Sequence, residues 1–166
     1  MQNILFGLQV ISVSLQGNGG SKNTVSIYED GTIQYDRFSF HSKAPISSVK
    51  VEKDSRFVKR IQKVLTKYKK DIERIPFCVN NNSCDGACYT FIFYDKAISI
   101  DNPHRWNTGT LISLFQLKPG YFKPTPRNER ERLLAYYNNT LLDIQNEISA
   151  ILARYDLPLL RYKKTD

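Results

Sequence analysis

The chain has 166 residues, of which 41% are hydrophobic and 24% charged. These fractions sit near those of globular domains and exclude disordered, collagen-like and low-complexity classes, while the length suits a single domain spanning residues 1–166. Lys and Arg number 24 against 16 Asp and Glu, a net charge of +8 that favours acidic partners: nucleic acid, a nucleoprotein, or an acidic protein.

Placement says more than the total. Residues 46–75 carry ten basic and four acidic side chains, so three quarters of the excess falls in one short segment. No window reaches the roughly 18 apolar residues of a membrane span. Residues 4–15 are apolar, but Gln9, Ser12 and Ser14 interrupt them and no basic residue precedes Lys22. A signal peptide needs a basic start and an unbroken apolar core, so this stretch is expected to be part of the fold, with the protein cytoplasmic and away from membranes.

In chain order, residues 5–15 alternate as a strand, and the change of phase at Val10-Ile11 suggests a bulge or a strand buried on both faces. Residues 24–28 and 32–38 are period-two runs joined by Glu29-Asp30-Gly31, and Asp-Gly tolerates the positive φ that a tight hairpin needs. A short extended piece follows at residues 48–51. Asp54 and Ser55 then cap a helix reaching Ile75, with Phe57, Ile61, Val64, Leu65, Tyr68, Ile72 and Ile75 on one side and Pro76 as its stop.

Residues 89–94 and 97–100 form a second hairpin across Asp95-Lys96. Residues 111–117 fit a short helix or a strand, and residues 118–126, with three prolines, read as a loop. Thr125 and Pro126 open a last helix over residues 126–156, with Leu134, Tyr137, Leu141, Ile144, Ile148, Ile151 and Tyr155 at steps of three and four. Some thirty residues span about 45 Å, so this helix is expected either to overhang the sheet or to pair with a second copy along its seam. The whole reads as an α+β fold: an antiparallel sheet of β-hairpins with two long helices on one face, in the order β-β-α-β-β-α.

The first helix carries the main functional candidate. Arg56, Arg60, Lys63, Lys67, Lys70 and Arg74 recur at steps of four and three, which places all six within about 80° on the helix surface and along about 27 Å. Such a row meets successive phosphates as positioning contacts without reading bases. A solvated helix face also carries lysines, but solubility alone is served by mixed charges, and here the sign is uniform. Asp71 lies beside the row and is expected to pair with Lys67.

Two other constellations stand out. Cys78, Cys84 and Cys88 have gaps of five and three residues, unlike a structural zinc site, and His104 is the one plausible fourth ligand. No metal or cofactor is expected from this set, although a disulfide or redox pair fits two of the three thiols. His41 and His104 are the two histidines; with Arg105 they match the acid, base and phosphorane-stabilising groups of a metal-independent ribonuclease. Trp106 with Arg105 equally suits a partner anchor. Glycine-rich phosphate loops, nucleophile elbows and zinc-helix motifs do not occur in the sequence.

The stretch from Ile27 to Tyr35 (IYEDGTIQY), and Asn82-Ser83-Cys84-Asp85-Gly86 leading into Phe91-Ile92-Phe93, resemble a pattern found in small uncharacterised proteins of Gram-positive bacteria or their mobile elements. The likeness covers residues 24–102, leaves the last helix outside and implies no activity. The Lys-, Asn-, Ile- and Tyr-rich wording suits an AT-rich coding sequence of the kind phages carry. Size and charge together lead to the expectation of a small non-enzymatic binding protein, such as an anti-CRISPR-like inhibitor of a host nucleoprotein. The alternatives are the ribonuclease above and a protein-directed immunity or interaction module.

Overall fold

A computed structural model describes residues 3–12, 20–39, 42–82, 86–94, 96–108 and 125–160. Chain order is β1 (Ile4–Ser12), β2 (Ser21–Tyr28), β3 (Thr32–Ser39), β4 (Ser47–Glu52), α1 (Ser55–Arg74), β5 (Cys78–Val79), β6 (Ala87–Phe93), β7 (Lys96–Asp101) and α2 (Glu129–Ala153). The strands make one sheet in the order β4-β3-β2-β1-β6-β7-β5, antiparallel except for the β5–β7 pair. The fold is α+β as expected, but among the described residues the sheet has seven strands, not the four of the β-β-α-β-β-α order. That order leaves out β1 at the centre and β4 at one edge, although residues 5–15 and 48–51 read as extended, and it has no place for the two-residue β5 at the other edge. Two residues are too few to leave a periodic trace in sequence, and β5 owes its place to pairing with β7.

Register explains the core. Leu8 lies between Val25 and Phe91, Val25 opposite Tyr35, and Phe91 opposite Ile98, so one row of large side chains crosses five strands on the helix-bearing face. The opposite face is smaller and more polar, as in Gln34, Ser26 and Gly7 along a single row. Both helices bury their stripes on the first face in one continuous core. The bulge in β1 falls at Leu5, between Ile4 and Phe6, and not at Val10-Ile11. It turns Leu5 and Phe6 both inward, whereas Ile11 simply takes the outer face opposite Lys22.

The β2–β3 turn follows its sequence. Gly31 has φ +91, and a Cβ there would lie 2.1 Å from the Lys53 carbonyl oxygen, so only glycine fits. Asp30 accepts from the Thr32 N–H at 2.9 Å, closing the turn. In the second hairpin Lys96 already belongs to β7, paired with Phe93, and the turn starts at Tyr94 with φ 54.

α1 starts where its sequence dictates, with the Asp54 carboxylate accepting from the Phe57 N–H at 3.0 Å. Its far end is held by Lys96, whose ammonium donates to the carbonyls of Ile72, Glu73 and Ile75 at 2.7, 3.2 and 2.6 Å. α2 starts three residues later than expected: Asn128, not Thr125, is its cap and accepts from the Glu131 N–H at 2.9 Å. The 25 residues of α2 span about 37 Å, with buried positions at intervals from Ala135 to Leu152 and a largely exposed start before Ala135. Residues 111–117, most of the 118–126 loop and His41 lie outside the described residues.

Candidate nucleic-acid interface

The periodicity that builds α1 also sorts its charges. Phe57, Val58, Ile61, Val64, Leu65 and Ile72 turn into the core, and the six basic residues are left on the opposite side. Arg56, Arg60, Lys63, Lys67, Lys70 and Arg74 are all exposed, as are Lys59 and Lys69. No acid occupies the first turn of α1, which instead holds Arg56 beside the positive end of the helix dipole. Helix stability alone favours the reverse arrangement.

α2 lies antiparallel along the flank of this row. Arg60 sits over the Tyr155 ring at 5.9 Å, Lys67 donates to Glu147 Oε1 at 2.5 Å, and Tyr136 donates to Asp71 Oδ1 at 2.5 Å. Asp71 therefore does not neutralise Lys67 as its spacing suggested; Tyr136 takes Asp71, and the acid on Lys67 comes from α2. Among the described residues this is the row's single ion pair. The same Glu147 oxygen accepts from the Tyr68 hydroxyl at 2.7 Å. These two donors hold the Glu147 carboxyl below its ordinary value, and the carboxylate in turn raises Lys67. Burial, then the bond to Glu147, raises Tyr68.

Between the helices runs an open groove of about 670 Å³. Arg60, Lys63, Lys67 and Arg154 wall it, Val64, Ala150 and Ile151 form its floor, and Glu147 stands inside. Arg154, the C-cap of α2, was missed by sequence reasoning because it lies some ninety residues from the α1 row. Nothing local marks it; only the antiparallel packing of two helices brings it there.

The remaining candidates gather elsewhere on α2. Asn138, fully buried, accepts from the Asn81 amide at 3.0 Å and the His104 N–H at 3.1 Å, and donates to Asn81 and to the Leu134 carbonyl. Asn139 bonds both the N–H and the carbonyl of Trp106. Residues 102–108 are thereby strapped to α2, with the His104 ring 5.2 Å from that of Trp106. Arg105 is paired with Asp143 at 2.5 Å, and Trp106 is half-buried. Asn138 was the legible clue here: an amide at a position of the apolar stripe between Leu134 and Leu141.

Cys78 and Cys88 are free and exposed, on strands separated by β7, and Cys84 lies outside the described residues. Burial, then Asp101 and Cys78, raise the Cys88 thiol above its ordinary value, which disfavours the reactive thiolate. Among the described residues no three His, Cys, Asp or Glu side chains gather to hold a metal ion, and no helix is long and apolar enough to cross a membrane. Compared with protein-family models and with curated proteins, the chain matches none.

Proposed function

We propose that this protein binds a nucleic acid, free or within a nucleoprotein, through the basic face of α1, and acts by occupancy rather than by chemistry. The observation that carries the reading is the row itself: six cationic side chains on one helix face, all exposed, with one of them, Lys67, in an ion pair among the described residues. Such a row supplies phosphate contacts that fix position and carry no base information. α1 is flanked by α2 over much of its length, and two helices side by side are about 20 Å across. That is wider than the roughly 12 Å major groove, so contact runs along the backbone from outside.

Binding without cleavage is supported by the engagement of Arg105 with Asp143 and of the His104 ring with Trp106. An inhibitor carried by a mobile element would use the same face to fill the nucleic-acid channel of a host nucleoprotein.

The structure selects the residues for the test. Reversing Lys67 also breaks its bond to Glu147, whereas Arg56, Lys63 and Lys70 are exposed and free of ion pairs among the described residues. The triple change Arg56→Glu, Lys63→Glu and Lys70→Glu is expected to weaken binding of a labelled oligonucleotide by more than about a hundredfold at physiological salt, with thermal unfolding little changed. Undiminished binding overturns the reading.

A further inference from the structure

The groove between α1 and α2 has the make-up of a phosphate seat already holding an anion. Its four cationic walls come from two helices: Arg60, Lys63 and Lys67 from α1, and Arg154 from the end of α2. The Glu147 carboxylate stands inside, accepting from Lys67 and Tyr68 through one oxygen. Two donors on one anionic oxygen, with further cations lining the same cleft, is the arrangement a phosphate oxygen seeks. From Arg60 to Lys67 the groove runs about 10 Å, room for more than one phosphate of a strand whose charges recur every 3.4 Å or so along a duplex axis.

We infer that the α1–α2 groove is the principal phosphodiester-binding seat of this protein, with Arg154 as a contact residue and Glu147 as a resident anion that an incoming phosphate displaces from Lys67. The inference rests on the nucleic-acid reading above and deepens it. The contact is not a bare helix face but a two-helix cleft, and Glu147 sets its affinity. The aliphatic floor of Val64, Ala150 and Ile151 offers no ring for a base to stack on. The seat therefore takes the backbone and leaves bases outside, so binding is indifferent to sequence.

The test measures binding of a labelled duplex, and of a single strand of the same length, across a salt series for wild type, Glu147→Gln and Arg154→Ala. Glu147→Gln frees Lys67 and is expected to tighten binding about three- to tenfold and to steepen the dependence of log K on log salt by about 1. Arg154→Ala is expected to weaken binding about three- to tenfold and to flatten that slope by about 1. A merely structural role for either residue would shift melting and leave the slope alone. Two duplexes of unrelated sequence are expected to bind alike. If both variants keep wild-type affinity and slope while the α1 triple variant loses binding, the groove is overturned and the α1 reading stands. If wild type binds neither oligonucleotide, the α1 reading itself falls.

Discussion

Asn138 shows how much a single side chain decides. It has no exposed surface, yet its amide makes four hydrogen bonds: three join α2 to residues 81 and 104, and the fourth goes to the Leu134 carbonyl within the helix. In a low-dielectric interior a satisfied amide costs little, but removing it takes the donor from the Asn81 side-chain oxygen and the acceptor from the His104 N–H, while the Asn81 amide keeps its bond to the Asp101 carbonyl. Asn138→Ala is expected to lower stability by about 2–4 kcal/mol, read from the denaturation midpoint at unchanged m-value. It is also expected to release residues 102–108, so that the fluorescence of Trp106, the single tryptophan, moves toward that of a solvated indole. A Trp106 spectrum that stays put would show that Asn139 alone secures the strap.

At the scale of elements, the α1–α2 contact is where charge and packing meet. Glu147 titrates below its ordinary value of 4.5 because Lys67 and Tyr68 stabilise its charged form. A carboxyl depressed in the folded state adds stability above its unfolded value and loses it as pH falls through the folded one. The stability gap between wild type and Glu147→Gln is therefore expected to be present near neutrality and to close at pH values below 4.5. Lys67 is raised above 10.5, so its share holds below that value and fades only as pH climbs through the higher folded value. The pair is exposed, so the neutral-pH effect is small and melting curves across the acid range suffice to check it. A gap that stayed constant into strong acid would mean that Glu147 acts through packing alone.

The other end of α1 depends on Lys96, which feeds three carbonyls that the helix itself cannot satisfy. Lys96→Met keeps the stem and removes the donors. It is expected to cost about 1–2 kcal/mol in chemical denaturation and to fray the last turn, seen as faster amide exchange there. Unchanged exchange protection would show that water replaces the ammonium without loss.

For the molecule as a whole, the charge excess has a direction. The helical layer carries the α1 row and Arg154, while the other face of the sheet is small and largely polar. A polyanion held by five or so free cations releases counterions in proportion, so log K against log salt is expected to slope at about −4 to −5 on duplex DNA. A slope near zero would point to a partner recognised by shape instead. Within the seam of α2, Leu141, Ile144, Ile148 and Leu152 have no exposed surface, whereas Leu134, Tyr137, Ile151 and Tyr155 are half-buried. A dimer that used those four buried residues would require opening the core, so light scattering is expected to return the 19.2 kDa of one chain, and twice that mass would point to pairing through the half-buried positions.

Much of this architecture is legible in the chain alone. Period and capping residues set α1 to within a residue, Asp30-Gly31 set the first hairpin, and the 3/4 spacing of Arg and Lys put six charges on the outer side of a helix. Those features are local: each follows from residues a few positions apart and from the geometry of one element. Tertiary structure alone decided the rest. That β1 sits centrally between β2 and β6, that two residues at Cys78 pair with β7, that Lys67 meets Glu147 and not Asp71, and that Arg154 closes a groove with Arg60 all depend on contacts between distant segments. Periodicity tells which side of a helix is wet. It does not tell which neighbour stands beside that side, because the neighbour is chosen by how two apolar stripes share one sheet.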